Sequence, residues 1–257
     1  MDKIALSEDM EVWYFKEREA KGLYSEIFKE RTYVPRGIEL DSGSTVFDVG
    51  ANIGLASIFF ALEYGAKVYS FEPLPDLYEV LEANFKEFSI LGKTFRVAIS
   101  SHDHAAEIEY YPNFPGISGL YGELTEMPKL FSDLLSESNE LPAADVDRVV
   151  SSMFKAEQVA CDCWSLSTAI READVAHIDL LKVDVEHSEL DVLYGLEPSD
   201  WNKIDRVIAE VHHTNDRVTE MSSLLSSKGF QVCVDELNSI GYPKFRACML
   251  TASRTAS

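Results

Sequence analysis

Four short stretches of this chain carry side chains able to do chemistry. Asp48-Val49-Gly50-Ala51-Asn52-Ile53-Gly54 sets two glycines around an asparagine, with an aspartate just before them. Glu72 follows 22 positions after Gly50, inside Phe71-Glu72-Pro73. Asp184, Glu186 and Glu189 come directly after the apolar run Ile178–Val183, and Glu210, His212 and His213 close another such run. Glycines let a backbone bend tightly and come close to a ligand. A helix start directly behind such a turn offers free amide N–H groups. A carboxylate at the end of the next strand can accept from both hydroxyls of a ribose. Carboxylates beside a histidine are the side chains that take a proton from a weakly nucleophilic hydroxyl.

Those residues need elements to hold them together, and from Thr45 onward short β-rich runs alternate with helical patterns. That alternation is the mark of βαβ units and a parallel sheet. Strands are predicted over Thr45–Val49, Lys67–Phe71, Thr94–Ile99, Val159–Trp164, Ile178–Val183 and Arg206–Val211, with a short one at Ala105–Tyr111. Phe230–Val234 and Arg246–Thr251 read as a closing antiparallel pair. Helices are predicted from about Ile53 to Tyr64, from Pro75-Asp76 onward, and over Ser167–Ala173, Ser188–Leu196 and Arg217–Lys228. Asp76 with Glu79 resembles a capping box, and Gly229 suits the position after a helix end. The fold class is therefore α/β, a doubly wound and mostly parallel sheet with a C-terminal antiparallel strand. Residues 112–158 break the rhythm with four of the nine prolines and are read as a helical lid insertion. Residues 1–40 are read as an N-terminal helical leader, and 41–257 as the main domain.

Ligands on open α/β sheets bind at the carboxyl ends of the strands. The turn from Gly50 to Gly54, Glu72, Ala98, Asp184, Glu186, Glu210 and His212 all stand at such ends. The spacing Gly-x-x-x-Gly is not the Gly-x-Gly-x-x-Gly of a pyrophosphate cradle, which counts against NAD. A ribose without a pyrophosphate fits S-adenosylmethionine. Asp184 would then face the methyl donor or orient the acceptor. Strand alternation puts Glu210 and His212 on one side and His213 on the other, so His212 is a candidate general base beside a carboxylate. Plainer roles compete: glycines kept for packing, Glu186 and Glu189 as acidic residues at a helix start, His212 as a structural residue. Asp184, Glu186 and His212 could alternatively hold a divalent cation; the metal-free reading is preferred because no dense carboxylate set is visible. Lys182 is read as a local charge partner without a catalytic role.

Composition narrows the partners. The chain has 257 residues, 46% of them hydrophobic and 26% charged, enough apolar material for a core. With 23 Lys+Arg against 44 Asp+Glu, the net charge is −21, which argues against nucleic acid and anionic membranes. No apolar run reaches membrane-spanning length, the first residues lack a signal-peptide core, and four cysteines make no disulfide framework. A cytoplasmic protein is expected.

The run Val46–Gly54, then Phe71-Glu72-Pro73, Asp179–Leu193 and Glu210-Val211-His212, resembles the FkbM family of methyltransferases, and the resemblance covers roughly residues 25–250. Tyr110–Asn113, Ser118–Tyr121, Glu26-Ile27-Phe28, Tyr33 and Gly37-Ile38 are similar to O-methyltransferase domains of polyketide and mixed peptide–polyketide assembly lines. The resemblance implies a Rossmann-like class I fold that uses S-adenosylmethionine to methylate a hydroxyl. It implies that Asp48, Gly50, Asn52, Gly54, Glu72, Pro73 and Ala98 serve the cofactor, with Tyr33 and Ser118 closing over it. Asp184 and Glu186 would border the methyl site, Glu210 would orient, and His212 would be base or orienter. The implied acceptor is a natural-product intermediate, free or on an acyl carrier protein. Such carriers are acidic, and a basic patch from Lys16, Lys21, Arg31 or Arg36 would have to receive one. A sugar hydroxyl and a non-catalytic cofactor-binding module are the alternatives. His187 and His213 depart from the residues usual in relatives.

Overall fold

A computed structural model describes residues 1–34, 40–120, 127–138, 142–212, 216–236 and 247–254. Arg36, Gly37, Ile38, Tyr121 and His213, named above, lie outside the described residues.

The chain opens with a β-hairpin, β1 (Asp2–Ser7) against β2 (Met10–Tyr14), and only then α1 (Glu17–Tyr24), which runs on into a wider π-helical turn, Ser25–Lys29. The first part of the expected helical leader is thus a hairpin. Its anchor is a long-range contact: the buried Asn84 side chain accepts from Trp13 N–H at 2.8 Å and donates to Trp13 C=O at 3.0 Å. The same amide donates to Ile53 C=O at 2.8 Å, tying the hairpin to the glycine turn.

The main sheet is built from β3 (Thr45–Val49), β4 (Lys67–Phe71), β5 (Gly92–Phe95), β9 (Leu180–Val183), β10 (Arg206–His212), β11 (Phe230–Glu236) and β12 (Ala247–Arg254). Its spatial order is β11-β12-β10-β9-β3-β4-β5, and only β12 runs against its neighbours. Helices α2 (Leu55–Tyr64) and α3 (Pro75–Glu87), with α1 and the hairpin, cover one face; α6 (Leu166–Ala173), α7 (Glu189–Tyr194) and α8 (Arg217–Ser227) cover the other. Side chains alternate between the two cores, as a sheet buried on both faces requires. Val46 and Leu180 point to the α2 side, while Phe47, Leu181 and Val183 point to the α6 side.

Two local expectations differ. The run Thr94–Ile99 is not one strand: β5 ends at Phe95, and β6 (Ala98–Ser100) joins a separate sheet ordered β6-β8-β7, with β7 (His104–Tyr110) and β8 (Glu157–Ser165). The change of sheet bends the chain across the carboxyl ends of the main strands. Asp76 does not cap α3, whose N-cap is Leu74 with Pro75 in the first turn; its carboxylate accepts from Tyr110 Oη at 3.1 Å and ties β7 to α3. Among the described residues of 112–158 lie a 3-10 turn at Pro115–Ile117 and the helices α4 (Met127–Ser138) and α5 (Ala143–Met153). Phe131, Val146 and Val150 pack there with Phe114 and Phe154 in a small core of their own.

Candidate active site

The site begins as a polar row inside the sheet. Register aligns Ser70 of β4, Asp48 of β3 and Lys182 of β9 on the α2 face. Asp48 and Lys182 are buried, and Lys182 Nζ stands 3.0 Å from Asp48 Oδ1. Ser57 donates to Asp48 Oδ2 at 2.6 Å and touches Ser70 Oγ at 2.7 Å. Lys182 also donates to Gly50 C=O at 2.9 Å and reaches Asp184 Oδ2 at 3.5 Å. Burial works against its charge, but Asp48 and Asp184 outweigh it and hold the ammonium above its ordinary range. Tyr33, buried beside it, donates its hydroxyl to Asp184 Oδ2 at 2.6 Å. The row locks the ends of β3 and β9 together from below.

Above it the chain turns. Gly50 has φ +78°, and a Cβ there would fall 1.8 Å from Asp184 C=O. Only glycine permits that approach. Asn52 follows with φ +50°, a conformation its short amide tolerates, and its N–H donates to Glu72 Oε2 at 2.9 Å. Leu74 N–H donates to Glu72 Oε1 at 3.0 Å. Both carboxylate oxygens are therefore fixed, each with a lone pair to spare, and burial pushes the group up to about 7.

A cavity of about 250 Å³ opens over this turn at the carboxyl ends of β3, β4, β9 and β10. Gly50, Asn52, Glu72, Pro73 and Ala98 line one part, with apolar Phe71, Leu77, Val97 and Ile99. Ser118, Asp184, Glu186 and Glu210 line the other, joined by Glu19, Leu23 and Glu26 of the leader. Gly119 lies so close to Glu186 that an added Cβ would stand 2.8 Å from Glu186 C=O. Among the described residues, the lining carries six carboxylates and no Arg, Lys or His. Burial, then the Asp184 charge, pushes Glu26 up to about 7; burial, then Asp184 and Glu26, raises Glu210 well above the usual carboxylate range.

His212 stands behind the wall. Its Nε2 lies 3.3 Å from Glu186 Oε2, and its Nδ1 lies 2.9 Å from Oε1 of the buried Glu189. Burial lowers its proton affinity, but Glu186 and then Glu189 overcome this and raise it to about 10. Glu186 is pushed up to about 7, by burial first, with His212 pulling the other way. Near neutral pH the ring is an imidazolium whose Nδ1 donates to Glu189 and whose Nε2 faces Glu186 as an ion pair.

Residues 48–232 match the family described as the Methyltransferase FkbM domain. The chain is 36% identical over 220 residues to the 31-O-demethyl-FK506 methyltransferase FkbM of Streptomyces tacrolimicus, covering 85% of this chain and 84% of that one. It is 32% identical over 229 residues to part of the AMB antimetabolite synthetase AmbE of Pseudomonas aeruginosa, 84% of this chain but 11% of the synthetase. The chain belongs to the FkbM methyltransferase family. The solved structure of Methyltransferase FkbM from Methylobacillus flagellatus KT shares the fold, with TM-score 0.54 at 11% identity over 92% of this chain and 55% of that one. The seven-stranded sheet is thus the Rossmann-like sheet of class I methyltransferases.

In this FkbM-family chain the sequence-derived residues fall into two layers. Gly50, Asn52, Glu72, Pro73, Ala98, Ser118, Asp184, Glu186 and Glu210 face the cavity. Asp48, Gly54, Tyr33 and His212 lie outside its lining and support it. Gly54, at φ +86°, starts α2, and its Cβ would meet Leu81 Cδ1 at 2.6 Å. Sequence reasoning missed Glu19 and Glu26 as lining residues and Glu189 as the partner of His212. Glu26 sat inside a quoted motif, but only the fold of the leader turns it inward. Of the four basic residues named for a carrier, Lys21 pairs with Glu17 at 2.6 Å and Arg31 with Glu63 at 3.0 Å, and Arg36 lies outside the described residues. Among the described residues, the ligand atoms close enough to share a metal belong to His177, Asp179 and Asp205, at the opposite ends of β9 and β10. No described helix is long and apolar enough to cross a membrane.

Proposed function

We propose that this chain is an S-adenosylmethionine-dependent O-methyltransferase that methylates a hydroxyl of a polyketide- or peptide-type natural product. The observation that carries the reading is Glu72, a buried carboxylate held by two backbone N–H groups at the cavity wall, directly above the Gly50–Gly54 turn. Such a group accepts from ribose hydroxyls, and the apolar wall of Phe71, Val97, Ala98 and Ile99 beside it suits an adenine ring. The donor residues are therefore Gly50, Asn52, Glu72, Pro73 and Ala98, with Asp184 and Ser118 bordering them. Tyr33 acts through Asp184, and Asp48 acts through Lys182. When bound, S-adenosylmethionine supplies an activated methyl group on a sulfonium.

The chain's own work is positioning and proton removal. Glu186 is the group we assign to take the proton from the acceptor hydroxyl, since it faces the cavity with a proton affinity near neutral pH. His212, hydrogen-bonded through Nδ1 to Glu189 and ion-paired through Nε2 with Glu186, orients Glu186 and balances its charge. This reverses the roles expected from the strand pattern alone. The six carboxylates of the wall disfavour an anionic acceptor. With a net charge of −21, the chain also repels an acidic acyl carrier protein, so we read the acceptor as a free, uncharged or cationic hydroxy compound. The names of the FK506 methyltransferase and the AmbE synthetase support the natural-product class.

Calorimetric titration with S-adenosylhomocysteine, with NAD as control, tests the assignment. Micromolar binding of the first alone is expected. Binding of NAD, or of neither, would overturn it.

A further inference from the structure

We propose that Glu189 is a positioning residue of this site: from below the cavity its carboxylate fixes the His212 ring, so that the opposite ring nitrogen holds Glu186 in the cavity wall. The inference rests on the reading of Glu186 as the group that meets the acceptor.

Glu189 opens α7 yet is completely buried. A buried carboxylate is costly unless paired. The first turn of a helix favours an acidic residue, but a plain helix-start role does not require burial. Nor does Glu189 cap the helix, whose N-cap is Ser188. Its Oε1 is instead aimed at His212 Nδ1 at 2.9 Å, and its Oε2 lies 3.7 Å from the Arg217 guanidinium of α8. Arg217 is itself held by His187 C=O. The ring of His212 thus sits between two carboxylates of the one β9–α7 stretch, three residues apart, one buried and one at the wall.

The other groups facing His212 do not duplicate this role. Glu210 is on the same strand and acts on the ring only through its charge. The His187 ring lies tilted against it, at 43° with centroids 4.7 Å apart. Cys248 of β12 is paired with the neighbouring Val211. Without the Glu189 acceptor, nothing else among the described residues accepts from Nδ1, and the ring loses the contact that aims Nε2 at Glu186.

The test is a pH titration by NMR of the full chain labelled at its six histidines, with the His212 signal assigned by its loss in His212→Asn. In the wild type His212 should stay protonated at both nitrogens to at least about two units above an ordinary histidine. In Glu189→Gln the midpoint should fall by more than about one unit, and Glu189→Asp, which keeps the charge, should fall less. A wild-type midpoint near that of an ordinary histidine, or a Glu189→Gln midpoint equal to the wild type, would overturn the proposal. If Glu189→Gln does not fold, Glu186→Gln decides: the His212 midpoint must fall while Nδ1 stays protonated and hydrogen-bonded, and an unchanged midpoint sinks the idea. S-adenosylhomocysteine affinity should stay within about twofold in Glu189→Gln, since Glu189 is not in the lining. Should no form bind S-adenosylhomocysteine while His212 still follows Glu189, the methyltransferase cofactor reading fails and the positioning role stands.

Discussion

Glu72 gives one lone pair of each oxygen to a backbone N–H and keeps the rest for the cavity. Glu72→Ala should therefore weaken S-adenosylhomocysteine binding ~10–100-fold, the equivalent of ~1.5–3 kcal/mol of charge-assisted hydrogen bonding. An unchanged dissociation constant in calorimetry would remove Glu72 from the ribose. Lys182 makes the contrasting case, because it lies outside the cavity and is only 2% exposed. Lys182→Met would leave Asp48, wholly buried, without its countercharge. A loss of ~3–5 kcal/mol of stability in urea denaturation is expected for breaking such a pair. A loss under ~1 kcal/mol would mean that the Asp48–Lys182 pair does not hold the strand ends together.

At the scale of elements, the site depends on how closely the end of β3 meets the end of β9. Gly50→Ala would drive a Cβ to 1.8 Å from the Asp184 carbonyl, which neither strand can yield. The added left-handed strain and overpacking amount to ~2–5 kcal/mol, and donor binding should be lost with stability. Gly54→Ala meets the flexible end of Leu81 at 2.6 Å and should be the milder of the two. Thermal unfolding of both variants compares them, and equal losses would show that strand-end contact is not what the first glycine protects. The change of sheet between Phe95 and Ala98 is the second device at this scale. It turns the segment carrying Val97, Ala98 and Ile99 over the strand ends, where a single straight strand would have carried it away.

At the scale of the whole molecule, several raised proton affinities act in the same direction. Glu26, Glu72 and Glu186 are pushed up to about 7 in the folded chain, against ~4.3 when unfolded. The folded state therefore binds more protons between those limits, and stability falls as pH rises through them. His212, raised to about 10, contributes fully below ~6.5 and loses that contribution as pH climbs through its folded value. Self-repulsion at a net charge of −21 adds to the trend. The melting temperature should be highest near pH ~5 and decline steadily to pH ~9. A maximum near neutrality would mean that these carboxylates are solvated and ionised.

The sequence by itself determined what is local and periodic. The βα alternation is readable because each strand and each helix writes its own repeat, and the turn at Asp48–Gly54 with Glu72 is readable because both belong to one βαβ unit. Strand-end reasoning also brought Asp184, Glu186 and Glu210 to the same edge, since a parallel sheet puts all its carboxyl ends together. The tertiary structure alone decided the rest. The first residues form a hairpin because Asn84, more than 70 positions away, satisfies Trp13. Glu26 faces the cavity because the leader folds over it. His212 meets Glu186 and Glu189 because the sheet lays the end of β10 beside the β9–α7 stretch that carries both. Proton affinity is set by burial and neighbours in space, and neither is written in the spacing of residues along the chain.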